Sequence, residues 1–130
     1  MLPDLQYAAI RFESFVSEVL LPAAFTAREP LDVSVWQTPD RVAPGHAATQ
    51  SFRPVELGWR WGPSWSTAWF RLQGEVPASL AGRRTALRFS PGSEALLWRG
   101  GVPYHGYYPS GDWAFIWYRG RAGEAFYLRV

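Results

Sequence analysis

Cysteine is absent from the 130-residue chain. This excludes a disulfide framework and a thiolate metal cage. A chain without disulfides is typical of a reducing compartment, so we predict a cytoplasmic protein. Long apolar runs are absent too, because no stretch approaches the length that spans a membrane. The first six residues include Asp4 and no basic group ahead of an apolar run, so we expect neither a secretory signal nor a membrane partner.

Lysine is also absent, and all thirteen basic residues are arginine. The formal net charge is only +2, and the arginines are spread from Arg11 to Arg129. Arg83-Arg84 is their one dense run. Proteins that bind phosphate backbones carry a concentrated basic patch, so we expect no nucleic-acid partner.

Metal ligands and catalytic motifs are scarce. The two histidines, His46 and His105, have no carboxylate two or three residues away, so we predict no metal site and no cofactor within this chain. A nucleophile elbow, a phosphate loop and a dinucleotide fingerprint are missing as well. The sequence therefore predicts no catalytic residue.

Glu56 and Glu94 are the exceptions to consider, because each stands among apolar and aromatic neighbours. Glycoside hydrolysis needs two carboxyl groups across a sugar, and these two are the candidates for a small enzyme complete in itself. An acid at the start of a strand more often caps a turn or pairs with arginine. We favour that structural interpretation.

Aromatic residues, in contrast, are abundant: eight Trp, eight Phe and six Tyr. Together with twelve Leu, two Ile and nine Val they make forty-five large apolar side chains. A sandwich of about eight strands with about three inward positions each offers on the order of two dozen core positions. We therefore predict apolar surface that another domain, a second copy of the chain or a ligand covers.

The N-terminal stretch has the periodicity of an amphipathic helix. Apolar residues recur at helical spacing from Leu5 to Leu21, with Asp4 placed to cap the start and Pro22 to disfavour continuation. We assign residues 1–25 to a helix that packs on the rest of the domain or on a neighbouring domain. A helix lying on a membrane surface is disfavoured by the mixed charges on its polar face.

Residues 26–130 have the pattern of one all-β domain. Alternation predicts a strand over 31–36, and 37–50 is turn-rich and is predicted to be a loop. Gly100-Gly101 supplies the turn of a predicted hairpin. Further strands are expected at 68–76, 85–89, 94–98, 102–104, 113–118 and 125–130. Many short strands and one helix indicate a β-sandwich or jelly roll.

Aromatic side chains are densest after residue 97. Candidate sugar-binding residues there are Trp98, Tyr104, His105, Tyr107, Tyr108 and Trp113. Flat rings with polar edges suit a pyranose, whose apolar face lies on the ring while neighbouring polar groups bond its hydroxyls. Packing in a core or between domains explains the same residues, and we favour packing.

A longer motif carries a family resemblance. It begins with Trp-Arg-Trp-Gly-Pro-Ser-Trp-Ser-Thr-Ala-Trp-Phe-Arg over 59–71 and continues with Gly74-Glu75-Val76-Pro77, Leu87-Arg88-Phe89 and the stretch 92–98. This pattern resembles the N-terminal β-sandwich of α-mannosidases of glycoside hydrolase family 38, the cytosolic and vacuolar type. Weaker likeness extends to the sugar-binding jelly rolls of β-galactosidase-like enzymes, which implies a galactose-binding-domain-like sandwich. The sequence departs from the family pattern at His105 and Arg129.

The resemblance implies a noncatalytic domain of a larger retaining hydrolase. The catalytic part of such enzymes holds a divalent metal, usually zinc, and none of its motifs has a matching position here. The expected partners are the catalytic domain of the same polypeptide and, as further alternatives, a second copy of the chain or a mannose-containing oligosaccharide. The expected role is to position or oligomerise the catalytic part. A free-standing carbohydrate-binding module is the alternative.

Overall fold

The computed structural model describes residues 3–25, 27–108, 113–116 and 125–129, with side chains from residue 5 to 108 except 26. The helical elements are α1 (Pro3–Phe15), a π-helical turn (Val16–Leu20), α2 (Leu21–Ala24), α3 (Pro44–Ala48) and a 3-10 turn (Ala78–Leu80). The strands are β1 (Asp32–Thr38), β2 (Arg53–Pro54), β3 (Thr67–Glu75), β4 (Thr85–Arg88), β5 (Ala95–Arg99), β6 (Val102–Tyr107), β7 (Trp113–Ile116) and β8 (Ala125–Arg129).

The strands form two antiparallel sheets. Six of them make one sheet in the order β2-β1-β3-β8-β5-β6, and β4 pairs with β7 in the other. Because β8 lies between β3 and β5, the intervening chain leaves the large sheet and returns to it, as it does in sandwiches built from Greek keys. The predicted β-sandwich is confirmed.

The core lies on the inner face of the six-stranded sheet. Val35 of β1 pairs with Phe70 of β3, and two residues along the chain Leu72 points the same way, as the two-residue period of a strand requires. Leu87 brings the smaller sheet against this layer. The Phe89 ring packs edge-on against Phe70, with 5.2 Å between ring centroids. The cluster of buried core residues is Val35, Phe70, Leu72, Leu87, Leu97 and Tyr107.

The outer face of the large sheet is contacted at β1 and β3 by α3, a helix that the sequence pattern did not predict. The stretch 37–50, predicted as a loop, contains the end of β1 and the whole of this helix. Pro44 sits in its first turn, where a missing N–H is tolerated, and Ala47 is buried against the sheet. A helix of five residues is too short to show an apolar period, which explains the error.

The N-terminal helix is confirmed within the predicted range 1–25, and helical structure runs through Pro22 to Ala24, beyond the end of the apolar spacing at Leu21. Pro22 is tolerated in the first turn of α2, after the π-helical turn, since it breaks no bond that the new turn needs. All described side chains from Leu5 to Ala24 are exposed or half-buried. Whether a neighbouring domain covers this helix stays a prediction. In the described residues, the helices lack the length and apolarity to cross a membrane.

The predicted hairpin is confirmed. β5 and β6 pair antiparallel around Gly100 and Gly101, whose φ angles are 58° and 80°. Two consecutive positive φ angles define the turn that matches the right-handed twist of paired strands, and glycine adopts them without steric cost. A β-bulge interrupts the register between Leu97 and Trp98.

Glycine substitutions should therefore have opposite effects at two positions. We expect Gly101→Ala to lower the free energy of unfolding by about 1–2 kcal/mol, because alanine is strained at positive φ. Gly45→Ala in α3, where φ is not positive and no atom lies within 4 Å of an added Cβ, should raise it by about 0.5 kcal/mol. Urea denaturation measures both, and a stabilising Gly101→Ala would contradict the turn geometry.

Candidate functional site

The predicted sugar-binding residues whose side chains the structure describes do not share one surface. Tyr107 is only 1% exposed and packs in the core, with its ring centroid 6.1 Å from that of Phe89. Its assignment to a sugar site is wrong, because Tyr107 shares a strand face with the inner layer and has no ring face open to a ligand. His105 is half-buried beside it, at 5.3 Å between ring centroids.

The other candidates lie elsewhere on the hairpin. Trp98 is half-buried and lies 6.5 Å from Trp69, measured between ring centroids. Tyr104 is partly exposed with the Arg99 guanidinium 5.6 Å from its ring centroid, and Tyr108 is exposed. The side chain of Trp113 lies outside the described residues. Sugar binding by these residues stays a prediction.

A second aromatic layer occupies the outer face of the large sheet. Trp36 and Trp69 pair directly across β1 and β3, and Trp36 packs against the His46 ring. Arg71 donates a hydrogen bond of 2.7 Å from Nη2 to the Ala48 carbonyl oxygen, and its guanidinium lies 3.7 Å from the centroid of the Phe52 ring. These contacts fix α3 on the sheet.

This layer also buries polar atoms that lack partners. Trp69 Nε1 and Arg71 Nε have no hydrogen-bond acceptor among the residues that the structure describes. Neither nitrogen is accessible from solvent. The outer face is thus a packed layer and not an open ligand platform.

The two candidate acids do not form a shared pocket. Glu56 and Glu94 are both exposed. Glu56 borders a broad groove of about 2040 Å³, whose lining does not include Glu94. The geometry therefore gives no support to a catalytic pair.

The histidines are separated as well. His46 lies in α3, where its Nε2 is 3.2 Å from Gln50 Nε2, whereas His105 lies in β6. Within the described part of the chain, no three His, Cys, Asp or Glu side chains gather as metal ligands. These residues do not fit the zinc centre that the family resemblance implies for its enzymes.

The broad groove opens over the inner layer. Phe70 and Leu72 contribute to its lining beside Leu87 of the smaller sheet. Charged residues of both signs border it: Arg28, Arg71, Arg83, Arg84, Arg88, Arg99, Glu29, Asp32, Glu56 and Glu75. An apolar floor with a charged border has the character of a protein–protein contact surface.

A smaller cleft, which the sequence analysis missed, lies beside the loop before β3. Its volume is about 310 Å³, and it is lined by Gln37, Thr38, Pro39, Pro63, Ser64, Trp65 and Ser66. Trp65 is 93% exposed and has a φ of 70°, in the left-handed region. That conformation costs a non-glycine residue on the order of 1–3 kcal/mol and is concentrated at functional sites. Trp65 belongs to the motif over 59–71, but a lone aromatic residue on a loop has no periodicity that marks it as a ligand contact.

Comparison with known proteins gives the same family as the motif. The family model described as "Alpha-mannosidase, jelly roll domain" matches residues 29–126. Alpha-mannosidase 2C1 of Homo sapiens is 33% identical over 121 residues, which cover 88% of this chain and 12% of that protein. Alpha-mannosidase 2C1 of Mus musculus is 32% identical over 108 residues, covering 78% of this chain and 10% of that protein.

The chain thus spans about a tenth of the length of these curated relatives, 12% and 10%. The match of the family model covers the eight strands that the structure describes, β8 only in part, and excludes the N-terminal helix. The resemblance predicted from the motif over 59–71 is confirmed. This chain belongs to the family of alpha-mannosidase jelly roll domains.

Proposed function

We propose that this chain is a noncatalytic domain that packs against the catalytic part of an α-mannosidase polypeptide and holds it in position. The proposal is based on the difference between the aligned shares of the two chains: the alignment spans 88% of this chain but only 12% of the human relative. Most of the relative therefore lies beyond the aligned segment. A domain of such an enzyme needs a surface that packs against the rest of the polypeptide.

Exposed apolar side chains supply that surface. The described residues leave fourteen large apolar side chains exposed, and eight of them lie on the helical segment: Leu5, Tyr7, Ile10, Phe12, Phe15, Val19, Leu20 and Leu21. Leu5, Phe12 and Phe15 lie on one face of α1 by their helical spacing. Monomeric proteins seldom leave a large apolar patch exposed unless it is an interaction site. The helical segment and the broad groove are the two faces that we propose for docking.

The remaining expectations belong to the whole enzyme. We propose that the parent polypeptide hydrolyses terminal α-mannosides and that its divalent metal, zinc, is held by residues outside this chain. We propose a cytoplasmic location, with which the absence of cysteine from these 130 residues agrees.

A chimera tests the positioning role. In human Alpha-mannosidase 2C1, the segment aligned with this chain is replaced by this chain, and hydrolysis of an aryl α-mannoside is measured. We expect kcat/KM within about tenfold of the native value for the chimera, and at least a hundredfold loss when the segment is deleted. These factors correspond to about 1.4 and 2.7 kcal/mol of transition-state stabilisation. Turnover by this chain alone, or a chimera as inactive as the deletion, would contradict the proposal.

The docking role of the helix has its own test. We expect the double substitution Phe12→Ser and Val19→Ser to leave the unfolding free energy of this chain unchanged within about 0.5 kcal/mol, because both side chains are exposed. In the chimera it should lower the melting temperature by several degrees, because the same side chains are then buried. Glu13→Ser on the same helix is the matched control. Equal effects of the two changes on the chimera would argue against docking through this face.

A further inference from the structure

The exposure and backbone conformation of Trp65 are both unfavourable, and the folding of this chain does not explain them. Its indole is 93% exposed, so it contributes almost no packing, and its φ of 70° lies where a bulky side chain is disfavoured. A polar or glycine residue would suit such a position better. The natural explanation is a contact with something outside the chain.

The loop that carries Trp65 is braced on both sides. Gln37 on β1 donates from Nε2 to the Gly62 carbonyl oxygen, and the same nitrogen lies 3.4 Å from Ser66 Oγ. Ser66 Oγ donates to the Pro63 carbonyl oxygen at 2.6 Å, and the Ser66 backbone N–H reaches that oxygen at 3.2 Å. The backbone on both sides of Trp65 is therefore held in place before any ligand arrives, which lowers the entropic cost of ordering the loop on binding.

The cleft beside Trp65 combines an aromatic face with unused polar groups. Gln37 uses its amide nitrogen in the brace, which leaves Oε1 without a hydrogen-bond partner among the described residues. The Ser64 hydroxyl likewise has no partner there. With Trp65 Nε1 these groups supply donors and acceptors around a volume of about 310 Å³. That volume is at the lower end for small-ligand sites, which suits a single ring.

The chemistry of the lining selects the class of ligand. No charged side chain lines the cleft, so a phosphate, a carboxylate or a cation would find no counter-charge. A protein hot spot needs surrounding contacts that exclude water, whereas Trp65 is bordered by two serines and stands almost fully in solvent. A neutral molecule with one C–H face and several hydroxyls fits the combination.

From these observations we infer that the Trp65 cleft binds a hexopyranoside, with the sugar ring stacked on the indole and its hydroxyls bonded to Gln37 Oε1 and Ser64 Oγ. The site shares no residue with the aromatic cluster around β6 that the sequence suggested. Only the choice of a mannoside as the probe rests on the proposed function.

The test uses the 130-residue chain with ¹⁵N-labelled tryptophan and methyl α-D-mannopyranoside. We expect the Trp65 indole resonance, identified by its loss in Trp65→Asn, to shift saturably with a Kd of about 1–10 mM, as befits so small a ligand. D-mannitol has the same configuration at its hydroxyl-bearing carbons but no pyranose ring, and it should cause no saturable shift. Asparagine is chosen because it tolerates left-handed φ.

Variants locate the site. With binding followed by saturation-transfer NMR on the sugar, Trp65→Asn should weaken it at least tenfold and Gln37→Ala about fivefold, while Leu57→Ala, at another fully exposed apolar residue, leaves it unchanged. Unchanged binding in Trp65→Asn, an equal response to mannitol, or no saturable shift at 100 mM mannoside would overturn the inference. Direct binding to the chain involves no hydrolysis, so its failure is distinct from failure of the chimera.

Discussion

Phe70→Ala is expected to lower the free energy of unfolding by about 3–5 kcal/mol, the usual range when a buried phenylalanine is truncated. Phe70 is 7% exposed and lies at the centre of the inner layer, where its ring contacts Trp59 and Phe89 with centroid distances of 6.3 and 5.2 Å. The substitution removes both edge-on ring contacts and leaves a cavity that the sheet cannot close. Urea denaturation followed by tryptophan fluorescence measures the loss.

Two variants keep this result interpretable. If Phe70→Ala does not fold, Phe70→Leu retains most of the volume and should cost roughly 1–1.5 kcal/mol. Phe12→Ala makes the same change on α1, where the ring is 67% exposed, and should cost less than about 0.5 kcal/mol. A loss at Phe12 as large as that at Phe70 would mean that the helix packs on the sandwich, against the exposure seen here.

Local features of the fold were predictable from the sequence. The helix over 5–21 follows from apolar spacing, and the β5–β6 hairpin follows from Gly100-Gly101, because each signal lies within a few residues of the structure it specifies. Pro22 does not end the helix at Leu21, as the sequence suggested, since it is compatible with a new first turn after the π-helical segment. A proline marks a boundary only when no such rearrangement is open to it.

Non-local features were not predictable in the same way. Nothing in the sequence of β8 says that it pairs with β3 on one side and β5 on the other. Tyr107 was assigned to a sugar site because residues 104–108 are aromatic almost throughout, and composition cannot tell which ring faces inward. The β-bulge between Leu97 and Trp98 shifts the register in which β5 pairs with β6, and no glycine or other turn residue at that point predicts it.

The predicted excess of apolar side chains is confirmed, and the structure shows how it is divided. The inner layer around Phe70 and the outer layer around Trp69 account for much of the tryptophan content, so the large sheet is packed on both faces around β1 and β3. Strands buried on both faces need no strict alternation, which is why Trp69 and Phe70 are adjacent and both buried. The exposed apolar side chains include those of the helical segment and Trp65. We propose that the first surface contacts the catalytic part of the polypeptide and that the second binds a hexopyranoside.

Leu97→Ala and Leu96→Ala form the sharpest pair of substitutions that the chain offers. Both change leucine to alanine in β5, but Leu97 is 0% exposed within the core cluster and Leu96 is 43% exposed. We expect Leu97→Ala to cost about 2–5 kcal/mol, from lost burial and the cavity left behind. Leu96→Ala should cost less than about 1 kcal/mol, because its side chain already meets water.

The difference between the two losses reports the register of β5. A shift by one residue would turn Leu96 inward and Leu97 outward, since neighbouring side chains point to opposite faces. Denaturation midpoints for both variants, with slopes that match the parent chain, measure the difference directly. Equal losses, or a larger loss at Leu96, would contradict the pairing of Leu97 with His105 and with it the bulge that follows. A larger loss at Leu97 supports the hairpin register on which the placement of Trp98 beside Trp69 depends.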